Sequence, residues 1–237
     1  MRMIDADTSR RIVFLSFVCS CLVVLWHAHF LGIAQRGTVV ANWILQDILS
    51  QGFARASVPY FFVVFGFFLF RDWPFDIGRW RRKVASRLKS LMLPYVLWVL
   101  IGLAGAFLFS ALTGHAYAEI EPSSLQWWCG VFGLRSGVPI VSYHLWFVRN
   151  IFFLALVSPV IGVVLFRAPK VLLTVLFVVS IVFDRYLGGK AQQLFFVCLG
   201  AWLAKEEGSL AWIDRNVWKL LPLWCALIIA KIGRAHV

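Results

Sequence analysis

Apolar residues in this chain gather into long runs, separated by short stretches rich in Arg and Lys. The runs fall at about 12–34, 56–70, 91–112, 144–166, 171–187, 191–204 and 220–232. A bilayer-crossing helix needs roughly 20 apolar residues, so the short second, fifth and sixth runs have the loosest ends. The pattern predicts an all-α fold, a polytopic transmembrane helix bundle of about seven spans. Residues 1–231 read as a single transmembrane domain, because no polar stretch is long enough to build a separate core. The linker 35–55 carries Gln35, Arg36 and Asp47 and suits a short amphipathic helix. The chain ends in "IGRAHV", and residues 232–237 read as a non-native tail that interrupts the seventh run.

Composition supports the membrane reading. Of 237 residues, 61% are hydrophobic and 14% charged, with 22 Phe and 12 Trp. Soluble domains carry about 25% charged residues. The net charge of +12 raises the question of nucleic acid, but the cations sit between apolar runs, as cytoplasmic loops do. No nucleic-acid partner is expected. Segment 71–90 holds Arg71, Arg79, Arg81, Arg82, Lys83, Arg87 and Lys89, and marks a cytoplasmic loop. The N-terminus is then cytoplasmic, with 113–143 outside and 167–170 and 205–219 inside. The expected location is the inner (plasma) membrane, multi-pass, with membrane lipid as a partner. The five cysteines show no metal-binding or disulfide spacing, so no metal site is expected.

The polar residues inside the runs carry the chemistry. "VLWHAHF" (23–29) holds His27 and His29. Two positions apart on a helix, they point about 200° apart and cannot both serve one site from a regular helix. An intramembrane histidine lines a polar cavity or finds a hydrogen-bond partner. In "YHLWFVRN", His144 opens the fourth run, Trp146 has the usual place of an interfacial aromatic, and Arg149 lies inside. Arg55 precedes "VPYFF", and Gly66 permits close helix approach.

Five pieces in order, "RRIVFLSFVCSCLVVLWHAHF", "ARASVPYFFVVFGFFLF", "RLKSLMLPYVLW", "YHLWFVRNIFFLALVSPVI" and "LFFVCLGAWLAK", resemble the integral-membrane acyltransferase-3 family over about residues 10–205. The family's first span carries an Arg eleven positions before a His. Eleven residues make about three turns and return within roughly 20° of the same face, about 16 Å along the axis. His27 matches the histidine, but Ser16 stands where the arginine belongs, and Phe65 stands where the family often has Ser.

The resemblance implies an O-acyltransferase that moves an acyl group, acetyl by preference, from a coenzyme A donor to a hydroxyl of a cell-envelope carbohydrate or glycolipid. It implies no bound cofactor, with acetyl-CoA or another acyl-CoA as co-substrate. His27 is the expected catalytic base, since an imidazole with an ordinary pKa near 6.5 can take and return a proton. Arg55, His144, Trp146 and Arg149 are the expected substrate-binding residues. Ser16, Arg87 and Lys89 are the expected donor-side residues. Two alternatives stand beside it: a transporter or flippase of a lipid-linked sugar, and a catalytically degenerate relative, which the missing arginine motivates.

Overall fold

The computed structural model describes residues 6–28, 54–115, 124–134, 142–206, 211–219 and 222. Among them, every regular element is helical. The elements are α1 (Ala6–Ala28), α2 (Ser57–Phe70), α3 (Ile77–Arg87), α4 (Leu93–Thr113), α5 (Leu125–Val131), α6 (Trp146–Leu156), α7 (Ser158–Arg167), α8 (Pro169–Val182), α9 (Asp184–Leu187) and α10 (Lys190–Leu203). Among the described residues, two helical stretches are long and apolar enough to cross a membrane, Ala6–Leu25 and Ile77–Thr113, or three if α6 and α7 form one span. Ala54–Phe70 and Pro169–Val182 are shorter apolar helices. The expected run 220–232, the tail 232–237, the linker 35–53 and His29 lie outside the described residues.

The described residues form two compact units. The first holds α1, α2, α8 and α10. One side of α1 exposes Val13, Phe14, Phe17 and Val24, each about two-thirds accessible. Such a band suits acyl chains rather than water. The other side carries Ile12, Ser16, Cys19, Val23 and His27 at helical spacing, all partly covered. Helices α2 and α10 meet through paired glycines. A Cβ on Gly66 would strike the carbonyl of Val197, and one on Gly200 would strike the carbonyl of Val63. Small residues at such a crossing let two backbones touch, which drives packing where lipid removes the hydrophobic force. Gly66 therefore does what its sequence position suggests.

The second unit holds α3 to α7 and α9. Asp76 caps α3 by accepting the Arg79 N–H at 2.7 Å. Helix α3 passes into α4 through a π-helical turn, Leu88–Met92, in which the Leu93 N–H reaches the Leu88 carbonyl. Pro94 follows at once and has no N–H to give, so the ladder changes register there.

Two features depart from the sequence pattern. Residues 144–166 do not form one straight span: α6 and α7 are bent by 67° at Val157. The cause is Pro159, which cannot bond the carbonyl four residues back, Ala155. That carbonyl is taken instead by Ser158 Oγ at 2.8 Å and by Trp80 Nε1 of α3 at 3.3 Å. Segment 113–143, expected as a loop beyond the far end of α4, folds back in part. Val131 of α5 is buried with Tyr95, Val99 and Leu103 from the first half of α4, and Trp127, Trp128 and Phe132 pack around them. The N-terminal end of α6 joins the same cluster through Leu145 and Val148.

Replacing one donor to the Ala155 carbonyl, by Ser158→Ala or Trp80→Phe, should cost about 1 kcal/mol, a typical net hydrogen bond. The double variant should lose more than the sum, because it leaves a buried carbonyl unmatched. Denaturant unfolding in detergent measures both. Strict additivity would show that the two donors do not share this acceptor.

Candidate functional site

The first unit contains Ser16, His27 and Arg55; the second contains Arg87, Lys89, His144, Trp146 and Arg149.

In the first unit, Ser16 and His27 lie on the same partly covered stripe of α1, as their eleven-residue separation requires. His27 Nδ1 lies 2.8 Å from the Val23 carbonyl. A carbonyl only accepts, so Nδ1 carries the hydrogen and the basic lone pair resides on Nε2. The ring is half-buried. Ser16 Oγ donates to the Ile12 carbonyl at 2.7 Å and lies 3.4 Å from the Tyr60 hydroxyl. Tyr60 donates to the same Ile12 carbonyl at 3.0 Å. An uncharged pair, Ser16 with Tyr60 of α2, therefore occupies the level at which the family pattern leads to a guanidinium. One turn along, the buried Ser57 hydroxyl has no oxygen or nitrogen partner among the described residues and sits beside the Cys19 thiol. Arg55 is exposed on the 3-10 turn Ala54–Ala56 before α2.

In the second unit, Arg149 is 5% exposed. Its Nη1 donates to the carbonyls of Phe132, at 3.1 Å, and Gly133. Nε and Nη2 donate to Asn150 Oδ1 at 3.2 and 2.9 Å. Those two carbonyls stand at the C-terminal end of α5. Gly133, at φ 61°, closes that end: its N–H bonds Gly130 O at 2.8 Å, and Leu134 N–H bonds Cys129 O at 2.7 Å. This is a Schellman ending, and Arg149 supplies the cation that a helix C-terminus favours. Tyr95 donates to the Phe132 carbonyl at 2.8 Å. Trp146 is half-buried edge-on to Phe147, and His144 is exposed on the turn Tyr143–Leu145. Arg87 is half-buried and reaches the Lys83 carbonyl at 3.4 Å; Lys89 is exposed on the π turn.

The family model for the acyltransferase domain matches residues 14–232. The chain belongs to the acyltransferase-3 family. A relative, the succinoglycan biosynthesis protein ExoH of Rhizobium meliloti (strain 1021), is 23% identical over 224 residues, 89% of this chain and 58% of that protein. The chain thus spans less than two thirds of that relative's length. No solved structure matches it. Members of the acyltransferase-3 family are membrane proteins, in keeping with the apolar helices here.

Three polar residues of the acyltransferase-3 chain were not singled out from sequence: Tyr60, Tyr95 and Asn150. The two tyrosines were visible inside "VPYFF" and "LPYVLW", where a phenol within an apolar run needs a partner. Asn150 follows an arginine in the same way.

Asp76 anchors the helix that carries Arg87. The Arg79 backbone N–H, and then its guanidinium charge, hold the exposed Asp76 carboxyl below its ordinary 3.8. A depressed folded pKa gives stability that is present above 3.8 and lost as pH falls through the lower folded value. Hydrogen exchange at the Arg79 amide should therefore stay slow from pH 7 down to about 4, the ordinary carboxyl range, and quicken below it. Asp76→Asn should keep the slow exchange and flatten that acid limb, since amide oxygen still caps. An acid limb that persists in Asp76→Asn would assign the effect to another group.

Proposed function

We propose that the protein is a membrane-embedded O-acyltransferase that moves an acyl group, acetyl by preference, from coenzyme A to a hydroxyl of a cell-envelope carbohydrate or glycolipid. The family match over 14–232 carries the reaction class. The relative's naming for succinoglycan biosynthesis supports a carbohydrate acceptor. On this reading the chain crosses the inner membrane several times with its N-terminus in the cytoplasm, as the cation distribution favours.

His27 acts as the base. Its Nε2 takes the acceptor hydroxyl proton while the oxygen attacks the thioester carbonyl. The C–S bond breaks, and the imidazolium returns the proton to the departing thiolate. The products are the ester and free coenzyme A. What supports His27 is its tautomer, set by the Val23 carbonyl, and its place on the protein-facing stripe of α1. Arg55, His144 and Trp146 are proposed to contact the acceptor, and Arg87 and Lys89 the anionic donor. A shielded site would also keep water from the thioester.

His27→Ala should reduce transfer of labelled acetyl from acetyl-CoA to membrane acceptor by at least ~100-fold, the usual scale for a lost general base. Membrane insertion and α1–α2 packing should be unchanged. Transfer at the parental rate in His27→Ala would remove the assignment.

A second reading, a catalytically degenerate relative, has one observation in its favour: the uncharged Ser16–Tyr60 pair stands where an arginine is expected. If Ser16→Arg confers transfer on an inactive parent, degeneracy is the better account. An active parent shows the arginine to be dispensable.

A further inference from the structure

Helix α4 is 21 residues long, about 31 Å, which matches the roughly 30 Å hydrocarbon core. Its N-terminal end continues into the basic helix α3. Tyr95, Val99 and Leu103 lie on the first half of α4 and cover about 12 Å of its length. Against these three residues packs Val131 of α5. So α5 lies against the first half of α4, not beyond its far end.

Non-helical backbone is tolerated at that depth only where protein groups satisfy it. The turn that ends α5 meets this condition. Tyr95 takes the Phe132 carbonyl, and Arg149 takes those of Phe132 and Gly133. The helix that supplies Arg149 also packs against α3 and the π turn, which carry Arg87 and Lys89. Trp80 of α3 reaches Ala155 at the other end of that helix. These contacts point to the basic end of α4.

We propose that Leu125–Leu134 is re-entrant, seated in the α3-side half of the membrane, and that Arg149, sealing its end with Tyr95, is a positioning residue of the donor side rather than a binder of the acceptor. The role of Arg149 toward the donor rests on the acyl-transfer reading above. The re-entrant placement does not. Arg149 holds the α5 end and Asn150 in the membrane half that an anionic cytoplasmic thioester enters first. This revises the expectation that grouped Arg149 with the acceptor-binding residues.

The test has two arms on the full chain in membranes. In a chain with its native cysteines replaced, Val99→Cys with Val131→Cys should cross-link on mild oxidation, whereas Leu112→Cys with Val131→Cys should not. The reverse pattern, or no cross-link in the first pair, overturns the re-entrant placement. In the second arm, binding of fluorescent etheno-coenzyme A is titrated. Arg149→Ala should weaken it at least tenfold and Arg149→Lys less, with the acceptor KM unchanged. Unaltered coenzyme A binding in Arg149→Ala, or a raised acceptor KM instead, overturns the donor-side role. A parent that cross-links and binds etheno-coenzyme A yet transfers no acyl group would sink the proposed activity and leave this inference standing.

Discussion

A carbonyl cut loose from its helix inside hydrocarbon must find a donor, because no water is there to supply one. This requirement organises the polar side chains of the described structure. Pro159 frees Ala155, and Trp80 and Ser158 answer. The end of α5 frees Phe132 and Gly133, and Tyr95 and Arg149 answer. The Ile12 carbonyl on α1 receives both Ser16 and Tyr60. The breaks at Val157 and at the end of α5 are thus each answered by a side chain from a neighbouring element, Trp80 at the first and Tyr95 with Arg149 at the second. The polar residues of the spans are not scattered; they stand where backbone needs them.

The same constraint explains why helices approach closely where they do. Between α2 and α10 the closest backbone approach is made at glycines and not at an arginine. Gly66 and Gly200 instead bring each helix against a carbonyl of the other. Close contact then rests on dispersion between backbones, which is effective only when no Cβ intervenes. Apolar side chains such as Val13, Phe17, Leu108 and Leu112 are left to face outward.

The fold class was legible from run length and composition alone, since no soluble fold hides so many apolar residues. Helix bounds near 57–70 and 93–113 followed from where the runs start and stop. The shared face of Ser16 and His27 followed from a separation of eleven residues. What the sequence could not show was the folding back of α5. A short helix with two tryptophans reads as an interfacial loop, because its burial depends on partners well upstream that pattern cannot locate: the cluster on Tyr95, Val99 and Leu103. The bend at Val157 was in principle readable from Pro159, but a proline in a span kinks or merely tilts according to who takes the freed carbonyl, and Trp80 lies 75 positions away. Arg149 was legible as a buried cation and not as a helix cap, for the same reason.

The absent arginine on α1 bears on how charge is distributed for any anionic donor. A guanidinium at the level of Ser16 would need acceptors, and the residues facing it are the Tyr60 hydroxyl and an Ile12 carbonyl that already has two donors. The Ser–Tyr pair is self-consistent without charge, so this face of α1 is neutral from Ile12 to Val23. On the acyl-transfer reading, positive charge for the donor must then come from other elements, and the cations of α3, the π turn and Arg149 are the ones proposed to supply it. A buried arginine whose donors are held by backbone acts at short range through the groups it fixes, while exposed Lys89 and half-buried Arg87 offer charge directly. Recognition would divide accordingly: attraction from the basic helix, and shape from the element that Arg149 locks in place.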